Sequence, residues 1–197
     1  MSDIGAGIRV PTYVSGPSSH GWWAMIITLI VAVMVVVMAA FSYVFLWSRR
    51  PDMWAPPPQT GLTLVLLSSL GAAGLAYGAC RLLRLGRPRS AAVATLMMVI
   101  AAALIAVGWN VEIQAWLATG LRPGASGQGA TVYAFLAWQG FFAAVVALMG
   151  VYAVLRWLAG HVKPDRPSTF DLIGLFIGYS AGQGAFAALL IRLFPGG

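Results

Sequence analysis

The chain alternates between long runs without a single charged residue and short connections that hold nearly all of its charge. Residues 23–47, 60–80, 90–111, 123–155 and 172–191 contain no Asp, Glu, Lys or Arg. A helix crossing the hydrocarbon core of a bilayer needs about 20 apolar residues. Each run reaches that length, or does so once its flanking residues are added. Hydrocarbon offers no water to backbone N–H and C=O groups, so such runs are expected to be α-helical. A membrane β-barrel would alternate apolar and polar positions, whereas a stretch such as Ile30–Val37 (IVAVMVVV) is apolar throughout. The pattern predicts five helices, at about 21–47, 60–83, 90–117, 130–158 and 168–193. The fold class expected is all-α, a polytopic bundle of five transmembrane helices. Residues 20–197 form this membrane domain, and 1–19 form a polar N-terminal tail rich in Gly, Pro and Ser.

The boundaries carry their own signals. Trp22, Trp23 and Trp47 bracket the first helix, as rings anchored at two interfaces would. Arg49, Arg50 and Pro51 end it, and Pro56, Pro57 and Pro58 favour an extended connection. Ser168 and Thr169 are candidate caps for the fifth helix, with Asp171 complementing its dipole. The tail has no charged segment followed by a short apolar core and a cleavage site, so no cleaved signal peptide is expected.

Charge then sets orientation. Arg9, Arg81, Arg84, Arg87, Arg89, Arg156, Lys163 and Arg166 fall on one side of the bundle, and Arg49, Arg50, Arg122 and Arg192 on the other. The positive-inside rule therefore expects the N-terminus inside and the C-terminus outside. The net charge of +7 needs no nucleic acid partner, because the basic residues lie in the connections. Only 9% of residues are charged, against roughly 25% in a soluble domain. The single cysteine, Cys80, excludes an internal disulfide and a thiolate metal site.

Polar residues inside the membrane are costly and are therefore the candidates for function. Glu112 lies near the outer end of the third helix, with Gln139 in the fourth and Gln183 in the fifth. These three are expected to form one polar cluster, serving as a proton or binding site or as structural glue. Glycines four apart let helix backbones approach closely. Gly74 and Gly78 in the second helix, and Gly174, Gly178 and Gly182 in the fifth, are the expected packing positions. His20 and His161 sit outside or at the edges of helices, so no metal or haem site is expected on this chain. No phosphate-binding loop, nucleophile elbow or metalloprotease motif occurs, and no catalytic residue is assigned.

Four segments resemble subunit III of the haem-copper oxidases. His20–Met25 (HGWWAM) and Phe41–Trp47 (FSYVFLW) bound the first helix. Trp54–Pro58 (WAPPP) and Leu64–Ser69 (LVLLSS) resemble the family's Trp-Pro-Pro loop and Leu-Leu-Ser-Ser helix start. Tyr133–Ala144 (YAFLAWQGFFAA) resembles its helix carrying Gln-Gly or His-Gly followed by Leu-His. Thr169–Asp171 with Phe176–Tyr179 resembles its last helix, which carries Trp-x-His-Tyr. The resemblance spans about residues 21–194 and matches the last five helices of a seven-helix family. The chain departs from the pattern in having no Glu within 21–47, and in Phe142 and Gly178 where the family has His.

The resemblance implies a non-catalytic subunit of a terminal oxidase in aerobic respiration, in the bacterial cytoplasmic (inner) membrane. Its partners would be subunits I and II and phospholipids. Haem and copper would reside in subunit I, with no cofactor held by this chain. It would stabilise the catalytic subunit and support proton uptake and lipid binding, although the departures favour packing over proton chemistry. The alternatives are a small stand-alone transporter titrating at Glu112, and an accessory subunit of another respiratory complex.

Overall fold

The computed structural model describes residues 2–4, 8–10, 20–58, 60–86, 89–164 and 167–194. Five helices make up nearly all of it: α1 (His20–Arg49), α2 (Leu62–Arg84), α3 (Ser90–Ala118), α4 (Gly127–Leu158) and α5 (Ser168–Leu193). All five are long and apolar enough to cross a membrane. The chain is thus a multi-pass helical membrane protein.

Within the stretch expected to be a polar tail, β1 (Ser2–Ile4) pairs antiparallel with β2 (Ile8–Val10), Ile4 opposite Ile8. Three of these six residues are β-branched, which suits a pleated pair. Helix boundaries also differ in detail from the sequence expectation. The fifth helix is entered from Pro167 with no side-chain cap, where Ser168 or Thr169 was expected. The fourth starts three residues earlier than expected, at Gly127, because the Ser126 hydroxyl accepts from Gly129 N at 3.0 Å. A side-chain oxygen satisfying an otherwise orphaned N–H fixes a helix start.

The bundle is built around α2, α3, α4 and α5. Helix α2 packs on α3 and α5, α3 on α4, and α4 on α5. Its core is made of small and medium side chains: Ala72, Ala76, Ala94, Ala101 and Val146 are all fully buried. Helix α1 lies against α4 and α5 and buries only Leu29, Ala32, Val36 and Tyr43. These positions, three, four and seven apart, form one narrow stripe of a helix. Much of the rest of α1, including Ile27, Val31, Met38 and Phe41, is exposed on the protein surface. Lipid tails are as apolar as these side chains, so leaving them uncovered costs little in a bilayer.

The glycines divide into two groups, and not as their spacing suggested. A β-carbon at Gly78 would lie 2.8 Å from Met97 Cε, and one at Gly174 2.9 Å from Cys80 Sγ, so both support close approach. Gly74, Gly178 and Gly182 have no neighbouring atom within 4 Å of that position, so the expected packing role is corrected for these three. Equally tight contacts fall at glycines outside the spaced motifs. Gly140 lies under the Trp109 ring, 2.9 Å from a β-carbon, and Gly184 lies under the Gln139 amide, at 2.7 Å. Spacing of four places glycines on one face, but only the neighbouring helix decides whether that face is covered.

Gly140→Ala should therefore destabilise the bundle by about 1–3 kcal/mol through overpacking. Trp109 cannot move aside without losing its hydrogen bond to Leu136 O, 2.8 Å long. Gly182→Ala should stay within about 0.5 kcal/mol of the parent protein. Unfolding in mixed detergent–dodecyl sulfate micelles compares the two.

Candidate functional site

Several buried polar groups, Ser68, Ser69, Glu112 and Gln128 among them, collect toward the end of the bundle where α1 turns toward α2 and α3 toward α4. Glu112 projects from α3, two turns before its end, and meets Arg192 from the last turn of α5. The contact is bidentate: Arg192 Nη1 donates to Glu112 Oε1 at 2.8 Å and Nη2 to Oε2 at 3.0 Å. Each side chain is only 8% exposed. Parallel N–H···O bonds of this kind are the strongest polar contacts a protein makes. Trp116 Nε1 adds a third bond to Oε1, at 3.0 Å.

Arg192 also fixes the loop above it. Its Nε donates to Pro58 O at 3.3 Å, and Nη1 donates to Ala188 O at 3.0 Å. The proline-rich connection is held a second time by Gln128, at the start of α4. Ala55 N donates to Gln128 Oε1 at 2.9 Å, and Gln128 Nε2 donates to Ala55 O at 2.7 Å. One side-chain amide thus satisfies both polar groups of a residue whose prolyl neighbours have no N–H. Trp54 is buried against Tyr43, edge to face with centroids 4.9 Å apart. The Tyr43 hydroxyl donates to Ile191 O and Phe194 O at 3.2 and 3.3 Å, closing the end of α5. Exposed carbonyls at a helix end need such partners.

Deeper in the bundle Gln139 and Gln183 pair directly. Gln183 Nε2 donates to Gln139 Oε1 at 2.8 Å, and Gln139 Nε2 donates to Ser180 O at 3.2 Å. The absence of a side chain at Gly184 lets the Gln139 amide lie on the α5 backbone. Phe142, at a position where the resembled pattern has His, stacks on Phe176 with centroids 5.1 Å apart and contacts Tyr179 at the same distance.

The three expected site residues are therefore arranged as one direct pair and one neighbour. Gln139 and Gln183 are hydrogen-bonded to each other. Glu112 borders the same small cavity as Gln139, but its charge partner is Arg192. Sequence reasoning missed that partner by treating Arg192 only as a flanking charge. The signal was available, because α3 and α5 run the same way and end at the same side, which puts Glu112 and Arg192 at matched depth. Gln128 and Tyr43 gave no comparable signal, since the carbonyls they serve are defined only by the fold.

At the opposite end, Arg84 on α2 meets Asp171 in the first turn of α5 at 2.7 Å. Asp171 is 7% exposed and Arg84 is 53% exposed. This exposed guanidinium makes a weaker fastening than the one at Glu112. His20 and His161 are both exposed. Among the described residues, no group of three or more His, Cys, Asp or Glu stands together as a metal site would require.

Fold and site together define a five-helix membrane protein whose buried charges are tied to one another across helices. No family model matches the chain, and no curated protein matches its sequence.

Removing one partner of a buried ion pair strands the other, at a cost of about 3–5 kcal/mol. Glu112→Ala should lower stability by that amount. The double variant Glu112→Ala with Arg192→Leu should recover most of the loss, because no unpaired charge remains. A double-variant cycle read by dodecyl sulfate unfolding checks both expectations.

Proposed function

We propose that this chain is a non-catalytic membrane subunit of a haem-copper terminal oxidase, lying in a bacterial cytoplasmic membrane with its N-terminus inside. In this reading it packs beside a catalytic subunit I that carries haem and copper, in a complex that also contains subunit II. The observation that carries the non-catalytic part is the commitment of Glu112. A carboxylate that relays protons must be free to gain and lose one. Here both carboxylate oxygens are held by a guanidinium, and that guanidinium also holds the α1–α2 connection. The arrangement suits a fastening between α3, α5 and the connection, and it disfavours a transporter that titrates at Glu112.

Two further features support the reading. The segments that resemble subunit III meet in space: Tyr43 contacts Trp54, and Phe142 contacts Phe176 and Tyr179. Helix α1 also leaves a broad apolar side uncovered, which suits burial against lipid or another membrane subunit. The phospholipid part of the proposal is supported by a cleft of about 520 Å³ between α1, α2 and α5. Arg81 stands at the cleft with Trp22 and Tyr77, a combination that suits an anionic head group above acyl chains, while Arg84 is paired with Asp171 in the same wall. A second groove of about 330 Å³, lined by Val33, Val37, Gly182 and Phe186, adjoins it at Tyr179. The glycines that pack against nothing, Gly178 and Gly182, lie along these grooves.

Purification of the tagged full-length chain from its native membrane in mild detergent tests the proposal. Haem absorption bands together with a large polytopic partner are the expected result. A colourless protein without a partner, under conditions that preserve known membrane complexes, overturns it. The transporter alternative makes its own demand. Glu112→Gln should then abolish flux in liposomes holding this chain alone, whereas the subunit reading expects no flux from either protein.

A further inference from the structure

Helices α2, α3, α4 and α5 meet around a small cavity of about 30 Å³ in the polar end of the bundle. Its wall includes Ser69 from α2, Glu112 from α3, Gln139 from α4 and Gly184 from α5. The rest of the wall is largely apolar, as with Ile105, Phe135 and Ile191. A water molecule needs roughly 10–15 Å³ of such space and two to four polar partners. The volume therefore admits one or two waters and nothing much larger.

The hydrogen-bonding capacity left unused around the cavity matches that ligand. Ser69 is 8% exposed, and its hydroxyl makes no hydrogen bond to a described residue while its oxygen keeps a little accessible surface. Its neighbour Ser68 is different, because its hydroxyl is spent on Val65 O at 3.0 Å. Glu112 Oε1 accepts from both Arg192 and Trp116, but Oε2 accepts from Arg192 alone. A carboxylate oxygen has room for a second donor. Gln139 Nε2 carries two hydrogens and uses one on Ser180 O. One acceptor site, one amide hydrogen and one hydroxyl are thus left over on three different helices at one cavity.

We infer that this cavity is an ordered-water site that joins the Glu112–Arg192 ion pair to the Gln139–Gln183 amide pair. The water accepts from Gln139 Nε2, donates to Glu112 Oε2, and exchanges a hydrogen bond with the Ser69 hydroxyl. It gives the Ser69 hydroxyl the partner that the protein itself does not supply. It also makes a single polar seam through α2, α3, α4 and α5, from the Pro58 carbonyl inward to Ser180. The inference holds whether or not the chain belongs to an oxidase, because it depends only on groups within the bundle.

Water-edited solid-state NMR on the uniformly labelled full chain in lipid bilayers tests it. Polarisation from water should reach Ser69 Cβ and the Gln139 side-chain amide while Ala76 and Ala101, at 1% and 0% exposure, remain dark. Ser69→Ala should weaken transfer to the Gln139 amide several-fold, with helix backbone shifts unchanged. If Ser69 and Gln139 stay as dark as Ala76 in the parent protein, the cavity is dry and the inference fails. That comparison uses the parent protein alone, so it decides the matter even if the Ser69 variant does not fold.

Discussion

A carboxylate and a guanidinium buried together in a helix bundle must find each other, because neither has bulk water to turn to. Much of this structure follows from that requirement. Glu112 draws the end of α5 against α3 through Arg192, and Arg192 in turn holds the Pro58 carbonyl. The α1–α2 connection is thereby fixed over the end of the bundle. Its other polar groups are met by Gln128, and its tryptophan is seated on Tyr43. Tyr43 returns to the last carbonyls of α5, which places α1 against the same end. One charge pair thus positions three helices and a loop.

Apolar packing contributes differently. Between helices in lipid there is little hydrophobic driving force, so close fit and polar contacts decide association. Small residues carry that fit along α2, α3 and α5, where buried alanines repeat. Close approaches come where a glycine receives a particular side chain, as Gly140 receives Trp109 and Gly184 receives Gln139. These glycines also serve the polar groups, since the Gln139 amide could not reach Ser180 O over a larger residue. Packing and hydrogen bonding are one arrangement here. Helix α1 takes part least, which leaves clefts along α5 and an apolar side free for other membrane components.

Buried hydrogen bonding is not complete. Ser180 Oγ and Gln183 Oε1 are buried without a hydrogen-bond partner among the described residues, and Trp138 Nε1 and the Tyr179 hydroxyl have no partner beyond each other. They cluster on facing parts of α4 and α5, beside the Gln139–Gln183 pair. This region is therefore the one where polar groups are least constrained, in contrast to the fully engaged Arg192.

The sequence by itself determined that the chain crosses a membrane five times as helices. Charge-free runs of that length leave no other solution when backbone groups must be satisfied without water. It also singled out Glu112, Gln139 and Gln183, because polar residues stand out in an apolar run. It did not determine which face of each helix is buried. In α1 nearly every position is apolar, so no periodicity marks the stripe of Leu29, Ala32, Val36 and Tyr43. Glycine spacing likewise marked a face without saying whether a neighbour covers it, and Gly178 and Gly182 proved uncovered. Only the tertiary structure decided these points, and only it joined Glu112 to Arg192 and Gln128 to Ala55. Those contacts connect positions 80 and 73 residues apart. Depth can be counted along the helices, but the partners are chosen by which helices lie side by side, and local sequence does not encode that.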